Sequence, residues 1–115
     1  MPLDIQTREV NGVTLVELSG KIILGEESSA LREKIKDLIA AGKTRILLNL
    51  ARISFIDSAG VGTLVSAYTS ARSQGGEVKL SSLTKKFRET LQVTRLLTVF
   101  EVFDDDPSAI ASFRK

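Results

Sequence analysis

With 115 residues, 43% of them hydrophobic and 26% charged, the chain has the size and balance of one globular domain that buries a core without disulfides or structural metal. It contains no His and no Cys, which removes imidazole bases, thiolate nucleophiles, the usual zinc ligands and any disulfide framework, and fits a reducing compartment such as the cytoplasm. The net charge of +2 is spread over interleaved acids and bases, and no apolar run approaches the roughly 18 residues of a membrane span, so neither direct nucleic-acid binding nor membrane insertion is expected.

Leu3 to Val10 and Val13 to Leu18 are rich in β-formers, and Asn11-Gly12 between them suits the positive φ angles of a tight turn; the chain opens with a β-hairpin. Lys21-Ile22-Ile23-Leu24, ended by Gly25, reads as a short strand or an extension of the one before it. From Glu26 to Ala41 the apolar residues Leu31, Ile35, Leu38 and Ile39 recur at helical spacing behind an acidic first turn, and Gly42 supplies the stop. Arg45 to Leu50 is short and almost continuously apolar, as in a parallel strand covered on both faces, and strand, helix, strand in that order predicts a right-handed crossover.

A second helix is expected from about Ser58 to Gln74, with Val61, Leu64, Val65, Tyr68 and Ala71 facing inward and Gly75-Gly76 at its end. Glu77 to Leu80 alternates like a strand, Thr84 is placed to cap a helix carrying Phe87 and Leu91, and Val99 to Phe103 reads as a last strand. Asp106 before Pro107 predicts a capping acid and a proline at the first position of a closing helix whose Ile110 and Phe113 point inward. The expected architecture is a single α/β domain over residues 1–115: a mixed central sheet opened by the hairpin, with about four helices packed against it.

The segment Phe55-Ile56-Asp57-Ser58-Ala59-Gly60-Val61-Gly62 joins a buried strand to a helix, where side chains and free backbone N–H groups meet solvent. Asp57 or Ser58 can cap the helix, and Gly60 and Gly62 allow close backbone approach; a capped helix with packing glycines accounts for the segment without any function. This stretch, with Leu47-Leu48-Asn49-Leu50 and Ile53-Ser54 before it and Gly75-Gly76-Glu77-Val78 after it, resembles the bacterial anti-sigma factor antagonists, single-domain STAS proteins, and the resemblance covers nearly the whole chain. It implies a STAS fold and a binding protein rather than an enzyme. In its unphosphorylated form such a protein binds an anti-sigma factor that is also a serine kinase, which frees a sigma factor; phosphorylation disables it and a phosphatase restores it.

Carried onto this chain, the resemblance makes Ser58 the phosphoacceptor, Asp57 the neighbouring acid, and Asp57, Ser58, Ala59, Gly60, Val61 and Gly62 the partner-binding segment, with no catalytic residue, cofactor or metal. Ala59 departs from the many relatives that have Ser or Thr there, so a second hydroxyl beside Ser58 is missing. Related STAS domains also serve as unphosphorylated adaptors in stressosomes or lipid-transport complexes, the alternative that the resemblance leaves open.

Rival chemistries fail on spacing. A serine-hydrolase elbow needs Gly two residues before the nucleophile, where this chain has Ile56, and its triad needs a His. Gly60-Val61-Gly62 lacks the third glycine of a dinucleotide loop and the Lys of a P-loop. Asp104-Asp105-Asp106 reads as a solvated turn and helix cap rather than a cation site, and Lys85, Lys86 and Arg88 as the solvated face of the third helix.

Overall fold

Asn11 and Gly12 both take left-handed backbone angles, with φ of 51° and 82°, and fold β1 (Asp4–Val10) back on β2 (Val13–Ile22) so that Val10 faces Val13 across an antiparallel ladder. This is the two-residue turn whose twist matches that of the strands it joins. The computed structural model describes residues 3–93, 95 and 99–113. After β2 come α1 (Glu26–Ala40), β3 (Arg45–Ile56), α2 (Ser58–Ser73), β4 (Glu77–Ser81), α3 (Lys85–Val93), β5 (Val102–Phe103) and α4 (Asp106–Ser112).

The five strands lie in chain order across one mixed sheet, with β1 antiparallel to β2 and each later neighbour parallel. The expected extension at Lys21-Ile22 is the end of β2, while β3 runs past Leu50 to Ile56, pairing with β2 through two register shifts. The last strand shortens to Val102–Phe103 because Phe100 leaves the edge to bury its ring, meeting Tyr68 edge-on at 5.5 Å.

Alternation along the strands divides the apolar residues between two cores. Val16, Leu18, Leu48 and Leu80 point to the side where Leu31 and Ile35 of α1, Leu64 of α2 and Phe87 of α3 meet them. Leu15, Val13 and Leu47 point the other way and are covered by Ala109, Ile110 and Phe113 around α4. Both faces of the central strands are thereby dry, which is why Arg45 to Leu50 is nearly continuous in apolar character.

Asp105, rather than Asp106, caps α4: its Oδ1 accepts from the Ser108 N–H at 2.8 Å, and Pro107 falls at the second helical position. Asp106 is drawn away by stronger partners, accepting from Asn49 Nδ2 at 2.9 Å and from the buried Ser81 hydroxyl at 2.6 Å. The far end of α4 is held by Lys79, a buried lysine whose Nζ donates to Ser112 Oγ at 2.8 Å and to the Ser112 carbonyl at 3.3 Å. Its charge is balanced by Glu101 at 3.1 Å and Glu77 at 3.4 Å, and it lies 4.5 Å from the centre of the Phe113 ring.

Candidate functional site: the β3–α2 junction

Where β3 ends, Asp57 adopts an extended backbone and becomes the N-cap of α2. Its Oδ1 accepts from the Gly60 N–H at 2.8 Å and its Oδ2 from the Leu24 N–H at 2.9 Å, while its own N–H donates to the Ile22 carbonyl at 3.2 Å. One residue thus fastens the end of β2, the β2–α1 loop and the first turn of α2. The Leu24 N–H first, then that of Gly60, holds the Asp57 carboxyl below the usual carboxylate range, so it remains ionised at neutral pH.

Because Asp57 supplies the cap, Ser58 does not have to. Ser58 is the first residue of α2, it is exposed, and its hydroxyl makes no hydrogen bond to any described residue. The neighbouring hydroxyls differ. Thr63 is fully buried and donates to the Ala59 carbonyl at 3.0 Å, and Ser54 donates to the Gly20 carbonyl at 3.1 Å.

The two glycines have unlike roles. A Cβ on Gly60 would lie 2.1 Å from the Ile22 carbonyl oxygen and 2.7 Å from Ile56 Cγ1, so only glycine lets α2 start this close to the sheet. Gly62, expected to serve close approach as well, has nothing within 4 Å of the position a Cβ would take and is exposed; it leaves bare backbone one turn beyond Ser58. Val61 turns into the core at 8% exposure and Ala59 is half-buried. Of the six sequence-predicted site residues, Ser58 and Gly62 therefore form the open surface, and Asp57, Gly60 and Val61 hold it in place.

Two apolar side chains near the junction are left uncovered by the fold. Leu24, whose backbone is tied to Asp57, is 77% exposed, and Phe55, three residues before Ser58, is 44% exposed with Lys86 Nζ 5.7 Å from its ring centre. In the sequence Leu24 reads as a strand residue and Phe55 as the start of the segment joining strand to helix.

The acids near the C-terminus diverge: Asp104 lies 3.8 Å from Arg88, while Asp105 caps and Asp106 binds Asn49 and Ser81. Among the described residues no group of acidic side chains is placed to hold a metal ion, and no helix is long and apolar enough to cross a membrane.

The family model for the STAS domain matches residues 4–109. The anti-sigma F factor antagonist of Paenibacillus polymyxa is 25% identical over 111 residues, 96% of this chain and 94% of that protein. Among solved structures, TM1081 of Thermotoga maritima superposes with a TM-score of 0.90 at 23% identity, covering 96% of this chain and 95% of that one. The anti-sigma factor antagonist SpoIIAA, solved unphosphorylated and phosphorylated, gives TM-scores of 0.73 and 0.75 at 23% and 24% identity, each over 96% of this chain and 98% and 99% of the other. The fold and the match along nearly all of the sequence agree: the chain belongs to the STAS domain family, and its relatives include anti-sigma factor antagonists.

Proposed function

We propose that this protein is an anti-sigma factor antagonist that acts in the cytoplasm as a single STAS domain over residues 1–115, by binding rather than catalysis. Unphosphorylated, it docks on an anti-sigma factor that is also a serine kinase, and the sigma factor held there is released. The kinase transfers the γ-phosphoryl group of ATP to Ser58 Oγ, forming the Oγ–P bond as ADP leaves and the hydroxyl proton is given up. A phosphatase hydrolyses that bond and restores the binding form.

The observation that carries this reading is the state of Ser58: an exposed hydroxyl with no hydrogen bond to any described residue, at the first position of a helix whose cap is supplied by its neighbour. Modification there breaks no bond of the fold, and a helix N-terminus tolerates the added charge of about −1.5 to −2. A partner seated over Ser58 and the bare backbone at Gly62, with exposed Leu24 beside them, would have to accommodate a hydrated dianion next to ionised Asp57. A loss of about 3 kcal/mol weakens binding more than 100-fold. That SpoIIAA has been solved in a phosphorylated form lends the reading support.

Incubation with the cognate kinase and ATP, followed by peptide mass spectrometry, is expected to place phosphate on Ser58. Phosphate on Ser54, Thr63 or Ser66 with Ser58 unmodified would sink the proposal. Calorimetric titration against the kinase is expected to rank wild type and Ser58→Ala together and Ser58→Asp weaker. Equal affinity for all three would favour the unphosphorylated adaptor.

A further inference from the structure

Away from the β3–α2 junction, α1 and α2 lie side by side and leave between them an open groove of about 350 Å³. Its floor is apolar, made by Ile35 and Ala67, which are buried, and by the partly buried Ile39. Arg32 and Lys36 stand along the α1 side, and Ser66 and Ser70 line the α2 side. From Ser66 to Gln74, at 1.5 Å per residue, the groove follows roughly 12 Å of helix.

The charge on this groove is one-sided. No carboxylate lines it, and neither Arg32 nor Lys36 forms an ion pair among the described residues. Arg32 is tethered to α2, its Nη2 donating at 3.4 Å to Oγ1 of Thr63, a buried residue outside the groove lining. Two cations and hydroxyl donors suit an oxyanion, and the apolar floor suits a hydrocarbon body.

We propose that the α1–α2 groove is a binding site for an anionic amphiphile: an oxyanion head between Arg32, Lys36 and the Ser66 hydroxyl, and a short aliphatic chain over Ile35, Ala67 and Ile39. A carboxylate and a phosphate monoester share this chemistry, so both heads are tested on the same tail. Amide NMR titrations of the full chain with octanoate and with octyl phosphate, kept below the micelle concentration, are expected to give saturable shifts confined to residues 32–39 and 66–74. Whichever head binds more tightly identifies the source.

Octyl glucoside, which keeps the tail without charge, and acetate or inorganic phosphate, which keep the head without the tail, are expected to bind at least about tenfold more weakly. The double variant Arg32→Gln with Lys36→Gln, and separately Ser66→Glu, are expected to lose about tenfold or more in affinity for the charged ligand, with unchanged circular dichroism melts because all three side chains are exposed. Failure to saturate with either charged ligand, equal binding of octyl glucoside, wild-type affinity in both variants, or shifts centred on Leu24 and Phe55 would each overturn the proposal.

Discussion

Gly60 and Gly62 are two residues apart on one helix, and the space around each makes opposite demands on a side chain. Ala at 60 must push its Cβ into the Ile22 carbonyl, so Gly60→Ala is expected to cost about 1–3 kcal/mol, whereas Gly62→Ala fills open space in a helix interior and is expected to gain about 0.5–1 kcal/mol. Urea denaturation of the two variants checks both signs. The glycine pair is visible in the sequence, but its division of labour depends on where Ile22 lies, on another strand. Asp57 is a similar case: a capping acid is legible from its place before a helix, while its second bond, to Leu24 N–H 33 residues away, is not. That bond depresses the folded pKa, so the stabilisation Asp57 provides is complete above its unfolded pKa of about 4 and is lost as pH falls through the folded value. Asp57→Asn keeps one acceptor oxygen and loses the charge. Its deficit against wild type is therefore expected to be constant near neutrality and to shrink on acidification below about pH 4, as read from denaturation curves across that range.

At the scale of elements, α2 joins the core through Leu64, Ala67 and Ala71 and leaves Ser58 exposed in its first turn. A phosphoryl group on Ser58 gains about 0.3–1 kcal/mol from the helix N-terminus and is opposed by Asp57 across a solvent-screened turn. The opposing effects leave α2 folded. Matched thermal melts are expected to differ by only a few degrees, and amide spectra to change mainly at residues 57–62 and at Leu24; widespread loss of dispersed peaks would mean that the modification unfolds the domain. The closing helix behaves differently, because α4 has seven residues, too few to hold itself, and depends on its two polar anchors. Lys79→Ala removes the charge-assisted bonds to Ser112, which share one ammonium and together contribute about 1.5–3 kcal/mol, and is expected to speed amide exchange in residues 106–113 by roughly tenfold to a hundredfold while β2 and β3 exchange as before. The helix itself is legible from Pro107, Ile110 and Phe113. Which aspartate caps it is not: three acids in a row are equally able caps, and the choice rests on Asn49 and Ser81, 57 and 25 residues from Asp106.

Across the whole molecule, the order of the elements can be read from local pattern, since each hairpin turn, helix stop and apolar run acts over a few residues. The location of exposed apolar groups cannot, because Leu24 and Phe55 differ from core residues only in what the rest of the chain leaves uncovered. The sequential order of the strands has a consequence of its own. It leaves β1 as one rim of the sheet and the two residues of β5 as the other, so the rim on the hairpin side is the unpaired backbone of Asp4–Val10. An open row of backbone donors and acceptors is a template on which another extended chain can grow, and repeated addition leads to fibres. Along this rim Asp4, Gln6, Thr7, Arg8 and Glu9 are exposed, with Arg8 3.6 Å from Glu17 and Glu9 paired with Lys43. An incoming strand would have to desolvate charges on both of its faces and break those pairs. The rim that the topology leaves open is thereby guarded against aggregation by its own side chains, and copies of the protein can crowd together without templating one another.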